Sequence, residues 1–139
     1  MPKIDFYILT EQNALDFACR LIEKAYKNQH RVYIHTEDQL SAHALDEKLW
    51  TYRDDSFLPH NLYGEGPEPA PPIQIGFGKT PEKHRDILIN LSREVPTFFQ
   101  QFARVLELIP NEPEIQARGR ENFRIYRAKG FEITTHKIA

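Results

Sequence analysis

The chain has 139 residues, 40% of them apolar and 27% charged, with a formal net charge of −2; that suffices for one core and leaves no room for a second full domain. An acidic molecule has no bulk attraction for DNA or an anionic membrane, so any anion recognition has to be local. The single cysteine, Cys19, excludes an intrachain disulfide and a cysteine-built zinc site, and no stretch reaches the ~18 apolar residues of a membrane span. The opening "MPKIDFYILTEQ" also lacks the pattern of a signal peptide, so a soluble cytoplasmic protein is expected.

"IDFYIL" (Ile4–Leu9) is short, β-branched and aromatic, as a buried strand should be. Leu15, Ala18, Cys19, Ile22, Ala25 and Tyr26 then repeat at helical spacing, with Arg20, Glu23, Lys24 and Lys27 off the stripe, which predicts a helix from about Ala14 to Asn28. "RVYIH" (Arg31–His35) reads as a second strand. "TEDQ" after it fits a capping box between Thr36 and Gln39, opening a helix that carries Leu40, Ala44, Leu45 and Leu49. The order strand, helix, strand, helix predicts a right-handed crossover and an α/β fold built on a mostly parallel, doubly wound sheet.

From Thr51 to Pro72 five prolines and two glycines preclude long regular structure, and a connection of this length usually has a function. "IQIGF" (Ile73–Phe77) and "DILINL" (Asp86–Leu91) are expected as further strands, "VPTFFQQF" as a short helix. "ARVLELI" (Ala103–Ile109) is apolar on both faces and should be an inner strand. Ile115, Gly119, Asn122, Phe123 and Tyr126 mark one face of a helix from Glu112 to Lys129, Gly130 suits its C-terminal cap, and "FEITTHK" closes as a last strand.

"IGFGKT" (Ile75–Thr80) ends like a phosphate-binding loop, but the first glycine of that motif would have to stand at Ile73. Ile73, Ile75 and Phe77 alternate as a strand where a curled loop is needed, and "TPEKHR" is too short for the supporting helix. "YGEGP" lies in the proline-rich stretch and opens no helix. The six histidines show no ligand spacing, Cys19 falls on an apolar helix stripe, and no nucleophile elbow is present; neither a metal, a cofactor nor a catalytic residue is expected.

Charge concentrates in one place. From Arg118 to Phe131 five cations, Arg118, Arg120, Arg124, Arg127 and Lys129, oppose Glu121 alone and leave the segment at +4. Arg120, Arg124 and Arg127 share a helix face with Phe123 alongside. Two explanations stand: a solvated face favoured by the helix dipole, or a pocket for a carboxylate next to an aromatic group.

"IDFYIL", "ALDEKLW…SFLPHNLYGEGP", "HRDILINLS" and "RENFRIYRAKGF", in that order and across nearly the whole chain, resemble the chi subunit family of bacterial DNA polymerase III. The resemblance implies a fold like that of nucleotide-binding proteins without a working phosphate loop. It also implies a non-catalytic adaptor in the clamp-loader assembly, joining the psi subunit to the acidic, phenylalanine-ending tail of single-stranded DNA-binding protein. In some bacteria a repair helicase uses the psi-facing surface. Carried over, the tail site falls on Ile109, Arg120, Phe123 and Arg124. Gln116 stands where the family has lysine and Phe123 where it has tyrosine, with Arg118 as a possible auxiliary. The psi-facing surface falls on Trp50 and Phe57, which the sequence alone allows as core or as contact. Competing classes are a small nucleotide-binding or transferase domain using the carboxyl ends of its strands, and direct single-stranded DNA binding by the basic helix.

Overall fold

The computed structural model describes residues 1–55, 57–66 and 68–138; Ser56 and Pro67 of the proline-rich stretch, and Ala139, lie outside the described residues. Seven strands form one sheet: β1 (Lys3–Ile8), β2 (Val32–Thr36), β3 (His60–Leu62), β4 (Ile73–Phe77), β5 (Ile87–Asn90), β6 (Arg104–Ile109) and β7 (Ile133–Lys137). Their order is β3-β4-β2-β5-β6-β1-β7 and every pairing is parallel. Among the described residues the helices are α1 (Leu15–Lys27), α2 (Gln39–Thr51) and α3 (Pro113–Ala128), with a 3-10 turn at Phe99–Gln101.

A parallel sheet must be covered on both faces, and the alternation along β6 shows how this is done. Leu106 and Leu108 face one core with Ala18, Cys19 and Ile22 of α1 and Ala42, Leu45 and Leu49 of α2. Val105 and Ile109 face the other, with Ile4, Phe6, Phe99, Phe102 and Tyr126. The chain therefore winds from β1 through α1 and α2 on one face and returns through β6 and α3 on the other. Between them lies the reversal of strand order that opens a crevice at the carboxyl edge of such sheets.

The expected α/β class is observed, with four local departures. β3 lies inside the proline-rich stretch, three residues long and on the sheet edge beside β4. The cap of α2 is Asp38, whose Oδ1 accepts from the Ser41 amide at 2.8 Å; Thr36 is still in β2 and donates to the Gly76 carbonyl at 2.9 Å, so the Thr36–Gln39 box does not form. α2 buries Ala42, Leu45 and Leu49, leaving Leu40 and Ala44 exposed. Glu23, expected on the wet side of α1, is buried beneath Arg53, whose Nε lies 3.0 Å from its carboxylate.

"IGFGKT" is a strand followed by a turn. Gly76 leaves room for the Tyr33 phenol from β2, and Gly78 takes φ +64°, which favours glycine. The turn does not build a hairpin, because β2 lies between β4 and β5.

Candidate functional site

Three regions carry side chains able to do more than hold the fold. The first is the crevice at the carboxyl ends of β1, β2, β5 and β6, a cavity of about 420 Å³. A phosphate in such a crevice would sit on helix amino termini, but here the chain's own groups hold those positions. Asp38 accepts the Ser41 amide, which together with the Ser41 hydroxyl holds its carboxyl below the usual carboxylate range. Glu112 accepts the Ile115 amide at 3.0 Å and the Glu114 amide at 3.3 Å, and Asn13 accepts the Leu15 amide at 2.7 Å. Lys79, the cation of the phosphate-loop look-alike, is not among the crevice residues. Carboxylates at two of three helix starts repel the ligand that a nucleotide-binding domain would need.

Beneath the crevice lies Glu107, fully buried on the α3 side of β6. It accepts the Tyr126 hydroxyl at 2.6 Å and the Asn90 amide at 2.9 and 3.0 Å. Burial pushes its carboxyl up to about 7, against the pull of those two hydrogen bonds. Asn122, 2% exposed, donates to the Arg93 carbonyl at 2.9 Å. Sequence reasoning passed over this network. Its one signal was an acid amid the apolar "VLELI", on the same strand face as Val105 and Ile109.

The second region is α3 and its seat on the sheet. Glu112 caps the helix, Pro113 opens it, and Gly130 at φ +88° ends it. Gly119 lets the helix close on β6, since a Cβ there would come within 2.8 Å of Ile109 Cδ1. Ile109 is buried at the end of β6, and half-buried Phe123 packs in the same apolar cluster, its ring edge-on to Phe6 at 5.4 Å. Arg120 and Arg124 are exposed one turn apart. Arg124 Nη1 lies 3.2 Å from Glu121, whereas Arg120 has no ion-pair partner among the described residues. The structure thus places Ile109 and Phe123 in one apolar cluster, with exposed Arg120 and Arg124 on the helix that carries Phe123.

Gln116 donates to Asn111 Oδ1 at 3.1 Å. Arg118 lines the crevice and reaches Glu94 at 3.4 Å. Two residues apart on a helix, Gln116 and Arg118 point to different sides.

The third region is the end of α2. Trp50 and Phe57 are 56% and 63% exposed, with ring centroids 5.6 Å apart. Trp50 also lies against His60 of β3 at 4.7 Å, and His60 Nδ1 sits 2.6 Å from the Leu58 carbonyl. The open choice between core and surface thus resolves to surface: two large aromatics stand together in solvent.

No group of three histidine, cysteine, aspartate or glutamate side chains among the described residues is placed to hold a metal. Cys19 is buried and its thiol is pushed up to about 12 by that burial, which makes it inert. No helix of the described residues is long and apolar enough to cross a membrane.

A family model described as "DNA polymerase III chi subunit, HolC" matches residues 1–134. The chain is 40% identical over 141 residues to the DNA polymerase III subunit chi of Pseudomonas aeruginosa, covering 99% of this chain and 98% of that one. It is 34% identical to the subunits of that name from Haemophilus influenzae, over 96% of this chain and 95% of that one, and from Escherichia coli, over 97% of each.

Proposed function

The chain belongs to the DNA polymerase III chi subunit family, a replication accessory subunit, and on that footing we propose that it acts as a non-catalytic adaptor. It ties the psi subunit of the clamp loader to the acidic tail of single-stranded DNA-binding protein, in the bacterial cytoplasm at the replisome. The observation that carries this proposal is the juxtaposition on α3: Arg120 and Arg124 flank half-buried Phe123, which shares an apolar cluster with Ile109. An aromatic side chain would lie against the apolar pair while its terminal carboxylate takes paired hydrogen bonds from a guanidinium.

The opposite end of the sheet serves the other partner. Trp50 and Phe57 lie by β3, at the edge away from β1 and β7, and exposed aromatics that touch each other are the usual anchors of an interface. Two separate contacts on one rigid domain make the second binding event intramolecular, which raises its effective concentration. A repair helicase that uses the psi-facing surface would compete for Trp50 and Phe57. The nucleotide-binding alternative gains nothing from the crevice, whose helix starts are capped by Asp38 and Glu112.

A bridging assay tests this. Immobilised tail peptide should retain psi only when the chain is added; Trp50→Ala should stay on the peptide without psi, and Arg120→Ala should stay off the peptide while still pairing with psi in solution. Retention of psi by both variants would contradict the proposal.

A further inference from the structure

We infer that the crevice at the carboxyl edge of the sheet is a binding site for a small primary amine, whose ammonium group meets the side-chain oxygen of Asn122 while its alkyl stem lies along the crevice wall. The site is separate from the exposed face of α3 and from the Trp50 surface, and it stands independently of the adaptor proposal.

Asn122 supplies the acceptor. It lines the crevice, is 2% exposed, and lies one helical turn before Tyr126, the partner of Glu107. Its amide nitrogen donates to the Arg93 carbonyl at 2.9 Å, but its Oδ1 is buried with no hydrogen-bond partner among the described residues. A buried carbonyl oxygen without a donor carries a desolvation penalty that a donor entering the crevice removes. Glu107 also lines the crevice, and its oxygens already accept from Asn90 and Tyr126. The floor is thus made of acceptors, which an anion has no hydrogen to satisfy.

Charge decides which donor fits. Glu37, Asp38, Glu112 and Glu114 line the crevice against Arg93 and Arg118, and Arg118 is turned to Glu94 at 3.4 Å. The carboxylates that keep a phosphate from the helix starts therefore favour a cation. An ammonium presents three N–H donors at one compact point, whereas a guanidinium is a planar fork matched to a carboxylate. Size and wall suit a short stem: the cavity of about 420 Å³ falls among small-ligand sites, and half-buried Leu15, Leu91 and Ile115 line it.

Titration of n-butylamine into the isotope-labelled chain, followed by NMR, tests the inference. The amides of Leu91, Gly119 and Asn122 should shift and saturate with a Kd on the order of 1 mM. n-Butanol lacks the charge, tetramethylammonium lacks N–H donors and inorganic phosphate has the wrong sign, so each should leave those amides in place. Asn122→Ala should weaken butylamine about tenfold or more, with urea unfolding to show that the variant folds. Exposed Glu114→Gln, which removes one carboxylate without touching the core, should weaken it about two- to fivefold. A free amine and a protein's lysine side chain share this chemistry: tighter binding of Nα-acetyl-lysine methylamide than of butylamine assigns the site to a lysine, weaker binding to a free amine. Equal shifts with butanol, tetramethylammonium or phosphate overturn the inference. So does butylamine affinity unchanged in folded Asn122→Ala or, where that variant does not fold, in Glu114→Gln.

Discussion

The Tyr33 phenol lies where a side chain on Gly76 would have to stand, for a Cβ there would come within 2.6 Å of Tyr33 Cζ. Tyr33 is fully buried between neighbours that include Tyr63, His84 and Phe102, so its ring has little freedom to retreat. Gly76→Ala should therefore destabilise the fold by about 1–3 kcal/mol, the range for overpacking a filled core. Urea unfolding gives the number. Gly78→Ala, where φ is +64° but the space is open, should cost less, about 1 kcal/mol.

Glu107 predicts a pH dependence. Its folded carboxyl sits at about 7, above the ordinary value of 4.5, so between those values the folded chain binds the extra proton. Stability is then full below pH 4.5 and declines as pH rises toward 7, by up to about 3 kcal/mol from this group. Glu107→Gln should flatten that decline in urea titrations between pH 5 and 8. An unchanged slope would place the pH dependence elsewhere.

How much of this was legible beforehand depended on whether the signal was periodic. The stripe of α1, the double-faced apolar run of β6 and the helix expected from Glu112 to Lys129 follow from repeated spacing, and each is observed, the last as α3 over Pro113–Ala128. β3 was not legible: three residues between prolines hold no pattern, and the strand exists because β4 offers it an edge. The cap of α2 was missed by two residues because Thr36 found a partner across the sheet, the Gly76 carbonyl. Leu40 looked like core by composition and is 82% exposed. At the candidate site, sequence supplied the basic face of α3, while the pairing of Arg118 with Glu94 depends on a loop that no spacing rule brings near.

Trp50→Ala should separate binding from folding. Its exposure implies a stability loss of about 1 kcal/mol or less, whereas an aromatic anchor at an interface is worth about 2 kcal/mol or more, a loss of some thirtyfold in affinity. Parallel urea unfolding and titration with psi would read the two effects. Similar losses in both would assign Trp50 to packing with Phe57 and His60.

Gln116 offers a gain of function. It is half-buried on α3, bonded to Asn111, and carries no charge. Gln116→Lys should tighten binding of an acidic tail peptide about two- to fivefold at low salt and lose that gain near 1 M salt, as a partly exposed charge contact does. Fluorescence anisotropy across a salt series would show it.

The central claim is that Arg120 and its neighbours on α3 hold a terminal carboxylate. Isothermal titration of a phenylalanine-ending acidic peptide into the wild-type chain and into Arg120→Ala tests it most directly. A charge-assisted paired contact predicts a loss of about 10- to 100-fold for Arg120→Ala with unfolding stability unchanged. Equal affinities in the two titrations would contradict it.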